Sequence, residues 1–358
     1  MVHTIAWLAW AASAAVAALM IRNPFYLGIV ALGAGLVYAT VGENAPLRSG
    51  WGGLLKLGLF IWAVTIPMNA LMAHTGNVVL FALPQTWPII GGIITLEAVV
   101  YGAVSGLSLW TLLLIFAAFN LAVDASQLLR VTPSFLYQAG VVTSIALTFV
   151  PQMLISAREI REAQRLRGHR FRGLRDLLPL FVPLLTTSLE RAIQLAESIE
   201  SRGFGGQLVQ LDDRGMNRLR WYMVAGLALL LWGTFSRVYW SQRAYLGTLL
   251  IALAVALLVD TFLELGRHVR RGRYNRGRWE TFDALTLAVS VGVLLAMVAL
   301  RLIDKNALSY YPYPPFPLLP PFDGWIGALL ALLSLPGWMR LEPVGRTRMQ
   351  IADIAEAP

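Results

Sequence analysis

What most constrains this chain is the recurrence of windows of about 18 residues or more with almost no charge, the length at which an α-helix crosses a bilayer. Ile5 to Ile21, Phe25 to Val41, Leu54 to Met72 and Thr95 to Leu121 are such windows, and others follow past Leu219. Of the 358 residues, 57% are hydrophobic and only 14% charged, where soluble domains carry about a quarter charged residues. A transmembrane barrel would show alternating segments of about ten residues, and these windows do not alternate. The fold class read from this is all-α, a polytopic helical membrane protein.

Arg22-Asn23-Pro24 breaks the first window from the second, and proline suits the start of a helix, so the two form a tight hairpin. The N-terminal apolar run lacks a basic n-region and reads as a retained first span rather than a cleaved signal. Gly28, Gly33 and Gly35 would allow close helix packing in lipid. Gly42 to Gly50 is a short polar loop carrying Arg48, and the segment from Ala73 to Gly92 has no charged residue, which suits the outer side. Asp124 to Arg130 is a short amphipathic piece ended by Pro133. Phe135 to Val150 is apolar and bounded by Pro133 and Pro151, and it reads as re-entrant or buried rather than spanning. Four further spans follow at Leu219–Phe235, Tyr245–Leu265, Ala284–Leu302 and Trp325–Trp338, making about eight.

Orientation follows from arginine, because Lys56 and Lys305 are the only lysines. Seven arginines fall between Arg158 and Arg175, six between Arg267 and Arg278, and Arg340, Arg346 and Arg348 follow the last span. With Phe135 to Val150 not crossing, the positive-inside rule puts all three clusters, and both termini, in the cytoplasm. Arg22, Arg237, Arg243, Arg301 and Lys305 fall outside as scattered exceptions, and the proline-rich Tyr310 to Pro321 becomes an outer loop. The same rule accounts for the net charge of +9 without nucleic acid. The expected organisation is N-terminal spans over 1–121 and a short helix with the apolar segment over 122–151. Cytoplasmic helices over 152–206, C-terminal spans over 207–340 and a cytoplasmic tail over 341–358 complete it.

Inside this membrane frame lies a polar, helix-forming stretch from Ile155 to Gly206 with two similar endings. One reads Glu162-Ala163-Gln164-Arg165-Leu166-Arg167-Gly168, the other Ser198-Ile199-Glu200-Ser201-Arg202-Gly203-Phe204-Gly205. Arginine near a helix C-terminus complements the macrodipole and glycine supplies a left-handed cap, which explains each ending separately. It does not explain why two occur, nor why a membrane protein interposes so much polar helix. Arginine also forks onto carboxylates and carbonyls at an interface, so a docking role is expected. Two helices are read here, Gln152 to Gly168 and Leu177 to Arg202. In the second, Leu185, Leu189, Ile193, Ala196 and Ile199 recur at helical spacing and give one greasy face.

The usual catalytic patterns are missing from the sequence. It contains no G-x-x-x-x-G-K-[ST] phosphate loop and no cysteine, which excludes disulfides, Cys-ligated metals and thiol catalysis. His3, His74, His169 and His268 are isolated in sequence. Glu97, Asp260, Glu264 and Asp283 lie at or near helix ends, and Asp212-Asp213 reads as a turn. No catalytic residue, metal site or cofactor is assigned.

At the two endings and around them, the sequence resembles the transmembrane T component of energy-coupling factor (ECF) transporters, the family that includes the cobalt-transport permease subunit. The resemblance runs in order through Asn23-Pro24, Asp124 to Arg130, Phe149-Val150-Pro151 and Glu162 to Gly168. It continues through Pro183-Leu184-Leu185 and Ser188-Leu189-Glu190-Arg191-Ala192 to Ser201 to Gly205. It covers roughly Ile21 to Leu230. It implies two long cytoplasmic coupling helices whose ends dock in grooves of two ABC ATPase subunits. Carried over, the docking triplets are Leu166-Arg167-Gly168 and Ser201-Arg202-Gly203, with Leu166 and Ser201 where alanine is usual. Ala163, Gln164, Glu190, Arg191 and Ala196 would support the coupling helices. ATPase motion would pass through these helices to a separate substrate-binding S component for vitamin or metal-ion uptake across the cell membrane. The chain itself would not be an enzyme. Family members have about five or six spans, so the spans after about Tyr239 are additional. Two rival readings are a membrane-embedded transferase acting on a phosphorylated lipid-like substrate, and a self-sufficient secondary carrier. The transferase would need a metal-binding carboxylate pair or a His-carboxylate couple near the arginines.

Overall fold

The computed structural model describes residues 3–41, 50–84, 91–133, 136–169, 177–203, 213–239, 244–267, 279–304, 306–313 and 319–341. The described elements are helical apart from one two-stranded hairpin. Among the described residues seven helices are long and apolar enough to cross a membrane, and the chain is a multi-pass helical membrane protein. It divides into two compact units, one formed by residues 1–125 and 277–358, the other by 126–276.

The first unit begins with α1 (Thr4–Met20), α2 (Pro24–Val41), α3 (Gly50–Met72) and α4 (Leu96–Ala122). Strands β1 (Val79–Ala82) and β2 (Ile93–Thr95) pair antiparallel between α3 and α4. Close approach of α3 and α4 depends on small residues. A Cβ on Gly102 would sit 2.9 Å from the Ile66 backbone, and one on Gly106 would sit 2.3 Å from the Trp62 ring. Lipid supplies no hydrophobic drive between helices, so such contacts and interhelical hydrogen bonds hold the bundle.

The C-terminal segment completes this unit. It comprises α10 (Thr281–Ile303), α11 (Gly324–Ala331), a 3₁₀ turn over Leu332–Ser334 and α12 (Leu335–Leu341). On α1, the His3 backbone N–H donates to Asp283 Oδ1 (2.7 Å), Ser13 Oγ donates to the Ser290 carbonyl (2.8 Å) and the Trp10 indole N–H donates to the Leu333 carbonyl (2.8 Å). Asn23 Nδ2 donates to the Pro321 carbonyl (2.6 Å), and the Asp323 backbone N–H donates to Tyr26 Oη (2.8 Å). Buried α1 and α2 side chains include Trp7, Trp10, Tyr26 and Leu27. The pairings also fix direction. His3 and Ser13 meet Asp283 and Ser290 in the same order, so α1 and α10 run parallel. Asn23 and Gly33 meet Pro321 and Ser334 likewise, so α2 runs parallel to the α11–α12 segment. His3, the end of α2 and the end of α12 therefore share one end of this unit. The loop at residues 21–23 and residues 306–313 share the other, where the Arg22 N–H donates to the Leu308 carbonyl. At that second end, burial pushes the Tyr310 phenol above its ordinary range.

Three expectations change here. The last span, read as Trp325–Trp338, is interrupted: Pro336 has no N–H to give the Leu332 carbonyl, and the chain tightens into a 3₁₀ turn immediately before α12. The uncharged segment before Thr95 contains a β-hairpin that periodicity did not reveal. Asp283 and Glu97, read as helix-end carboxylates, lie in the first turns of α10 and α4 but are buried there. Asp283 forms a reciprocal capping box with Glu280 at the start of α10.

The second unit contains α5 from its second residue (the helix is Ala125–Val131), then α6 (Tyr137–Leu166), α7 (Leu178–Ser201), α8 (Asp213–Tyr239) and α9 (Ala244–Arg267). The break expected at Pro151 is absent. The apolar and polar pieces on either side form one 30-residue helix, about 45 Å long. Proline removes one backbone bond and is tolerated inside helices at membrane depth, and Pro67 and Pro183 lie inside α3 and α7 in the same way. Helices α8 and α9 pack through glycine. A Cβ on Gly247 would lie 2.8 Å from the Arg237 backbone nitrogen, and one on Gly233 would lie 3.0 Å from that of Ile251. Arg218 and Glu264 close one end of this pair at 2.8 Å. The basic segments at 170–175 and 268–278, Phe135, Phe204-Gly205 and the tail from residue 342 lie outside the described residues.

Candidate functional site

The expected docking residues lie at the C-terminal ends of α6 and α7. Helix α6 ends because Arg167 is its C-cap and Gly168 turns left-handed at φ +85°. The Gly168 N–H donates to the Arg165 carbonyl (2.9 Å) and the His169 N–H donates to the Gln164 carbonyl (3.0 Å). Those two bonds make a complete Schellman motif. The Arg167 N–H donates to the Ala163 carbonyl (3.2 Å), so the backbones of Ala163 and Gln164 hold the cap. Helix α7 shares the arginine C-cap and the left-handed glycine. Arg202 is the C-cap, Gly203 is left-handed at φ +72°, and its N–H donates to the Glu200 carbonyl (2.8 Å). Ser201 Oγ donates to the Ser198 carbonyl (3.0 Å). Sequence reasoning expected both left-handed glycines, and both are present.

Capping explains the glycines but leaves the side chains before them turned outward. Leu166 is 90% exposed, although a leucine gains nothing by facing water. Arg167, Ser201 and Arg202 are also exposed, and a Cβ on either glycine would meet open space. Among the described residues neither arginine has an ion-pair partner. Glu190, Arg191, Ala163 and Ala196 are exposed along the two helices, and Gln164 is half-buried. The structure thus places seven of the eleven expected site residues on α6 and α7 and the other four, Arg167, Gly168, Arg202 and Gly203, at their C-terminal caps. The two triplets share one local geometry on separate helices.

The two helices touch through residues that sequence reasoning did not weigh. Ser188 Oγ lies 2.8 Å from Met153 Sδ and also donates to the Leu184 carbonyl. A small polar residue on an apolar stripe is the usual sign of close helix approach, and that signal was available at Ser188. No residue of α7 is buried. Its half-buried positions are Pro179, Leu180, Pro183, Leu184, Thr187, Ser188, Leu195 and Ile199. The neighbouring greasy stripe stays open, with Leu185 64%, Leu189 63% and Ile193 51% exposed.

Three of the helix-end carboxylates have structural partners. Glu97 accepts the Asn77 and Val78 N–H groups at 2.8 and 3.1 Å, Asp283 is tied into its cap, and Glu264 pairs with Arg218.

Residues 4–211, from α1 to just past α7, match the CbiQ family of cobalt transport proteins. Among similar proteins is the energy-coupling factor transporter transmembrane protein EcfT of Bacillus selenitireducens. It is 31% identical over 113 residues, which are 30% of this chain and 41% of that protein. The EcfT of Lactobacillus helveticus is 36% identical over 94 residues, 25% of this chain and 34% of the relative. The EcfT of Lacticaseibacillus paracasei is 28% identical over 238 residues, 60% of this chain and 88% of the relative. The first two alignments thus span well under two thirds of those relatives. The family match covers more than half of the 358 residues and includes both Arg–Gly caps. The chain belongs to the CbiQ family, the transmembrane T components of energy-coupling factor transporters.

Proposed function

We propose that this chain is the non-catalytic coupling subunit of an ATP-driven importer, with Leu166-Arg167-Gly168 and Ser201-Arg202-Gly203 docking on two ABC ATPase subunits. The observation that carries this is the doubled geometry. Two exposed helices inside the family-matched region end in the same arginine C-cap and left-handed glycine. Each cap stops its helix sharply, so the arginine projects from a defined point rather than from a frayed end. A guanidinium held there suits a groove offering carboxylates or helix C-terminal carbonyls. Ala163 and Gln164 act through the backbone bonds that build the first cap. Glu190, Arg191 and Ala196 lie along the exposed length of α7.

The open stripe at Leu185, Leu189 and Ile193 meets a substrate-binding S component in this reading. Greasy surfaces slide without breaking buried charge pairs, which suits an interface that moves with each ATP cycle. The cargo, a vitamin or a metal ion, is selected by that partner. The chain sits in the cell membrane with the end holding His3 and the α12 terminus in the cytoplasm, as the arginine distribution favours.

The test is the double substitution Arg167→Glu, Arg202→Glu in tagged chain purified in mild detergent with its native complex. The expected result is a folded, membrane-inserted protein that no longer retains P-loop ATPases. Unchanged retention would overturn the docking assignment. Exposed helix-end charges cost little stability, so loss of the protein itself is not expected.

A further inference from the structure

Between α3 and α4 the chain runs for twenty residues, Ala73 to Gly92, without an Asp, Glu, Lys or Arg. Within it β1 and β2 pair through Val79 with Thr95, Phe81 with Ile94 and Ala82 with Ile93. A strand packed on a protein alternates buried and exposed residues. Here all four residues of β1 are exposed, and Val78, Val79, Leu80 and Phe81 are exposed by 45, 50, 43 and 72%. Successive strand residues point to opposite faces. Apolar surface is therefore open on both sides of β1, while β2 is exposed at Ile93, half-buried at Ile94 and buried at Thr95.

Its base, in contrast, is firmly held. Glu97 is 2% exposed at the start of α4 and accepts the Asn77 and Val78 N–H groups. Thr95 Oγ1 donates to the Thr75 carbonyl (2.9 Å) while accepting the Ala98 N–H that caps α4 (3.4 Å). Gly76 is left-handed at φ +148°, and a Cβ there would lie 2.6 Å from Glu97 Oε2. A firmly held base beside an exposed apolar strand is the build of an anchor rather than of a linker.

We propose that this hairpin is an interfacial anchor that lies in the lipid headgroup and upper acyl region at the end of α3 and α4. Three observations select lipid over a protein partner. A docked protein covers one face of a two-stranded sheet, whereas a bilayer boundary wraps both. The hairpin joins the ends of two apolar spans, and α3 exposes Met68 and Met72 in its last turns. It also carries no charge to pair with a protein or to lose on entering lipid. The anchor sets the depth at which α3 and α4 sit, through the Glu97 bonds that join it to α4.

The chain has no cysteine, so a single introduced thiol is a clean reporter. Full-length Phe81→Cys would be labelled with an environment-sensitive dye and reconstituted in phosphatidylcholine–phosphatidylglycerol vesicles, with Leu109→Cys and Leu166→Cys labelled in parallel. Leu109 lies midway along α4 and Leu166 at the α6 terminus, both exposed. The expected result is blue-shifted emission at residue 81 that shallow spin-labelled lipid quenches more than deep spin-labelled lipid. Residue 109 should show the reverse preference and residue 166 should respond only to aqueous iodide. Iodide quenching at residue 81 equal to that at residue 166 would overturn the proposal. Shielding that appears only in the intact native complex would also overturn it, in favour of a protein partner. Leu80→Cys reports the opposite face and should behave as residue 81 does.

Discussion

Helices α1 and α7 are both apolar along one side, yet the chain treats them differently. Nine of the seventeen residues of α1 are buried, whereas no residue of α7 is. Helix α1 is tied to the C-terminal segment by hydrogen bonds from His3, Trp10 and Ser13. Helix α7 touches α6 through Met153 and Ser188 and otherwise presents Leu185, Leu189 and Ile193 outward. The first region is finished by its own residues. The second is left for something else to finish. The proposed coupling role needs both, because motion can be passed on only if one part stays fixed while another changes partners.

The largest expected effect lies where the chain finishes itself. Trp10 is 1% exposed and donates its indole N–H to a carbonyl at the interrupted last span. Trp10→Ala leaves a cavity and an unmet carbonyl together, a loss of about 3–5 kcal/mol. Thermal unfolding of the detergent-solubilised chain should show it. A loss near zero would mean that α1 and the C-terminal segment are not one packed body.

A smaller effect sharpens the comparison by showing that the second unit is not uniformly open. Gly247 brings α9 against α8, and an added methyl would meet the Arg237 backbone at 2.8–2.9 Å. Backbone yields less readily than a side-chain tip, so Gly247→Ala should cost about 1–3 kcal/mol. Faster hydrogen exchange in α8 and α9, with α1 and α10 unchanged, is the expected pattern. Uniform exchange across the chain would instead mean that the two units do not open independently.

How legible this was in the sequence depended on what each feature relies on. The fourth span, read as Thr95–Leu121, is α4 over Leu96–Ala122, because Thr95 caps it and hydropathy carries the rest. The Arg–Gly endings were legible as caps because a left-handed glycine after a basic residue is a local device. Pro151 misled because a proline penalises a helix by one bond without forbidding it, and the flanking residues are good enough to continue through it. The hairpin was hidden because its strands are short and uncharged on both faces, which leaves no alternation to read. The pairing of α1 and α2 with α10 to α12 was hidden for a deeper reason. In lipid the choice of helix partner rests on small residues and single hydrogen bonds, which hydropathy does not encode. Ser13 with Ser290 and Trp10 with Leu333 are single contacts joining residues almost 300 positions or more apart.

The smallest effect is the sharpest test of the contrast between α1 and α7. Leu185, Leu189 and Ile193 are each more than half exposed, and exposed substitutions away from special features stay within about 0.5 kcal/mol. Alanine is also the best helix former. The triple Leu185→Ala, Leu189→Ala, Ile193→Ala should therefore leave the melting temperature of the isolated chain unchanged. If the stripe is a moving interface, the same triple should lose the small membrane partner from the native complex while keeping the ATPases, since both caps are untouched. A fall in stability comparable to that of Trp10→Ala would show that the chain covers this face itself, and the difference between the two helices would disappear. Retention of every partner with unchanged stability would leave lipid as the stripe's environment and move the S-component contact to another helix.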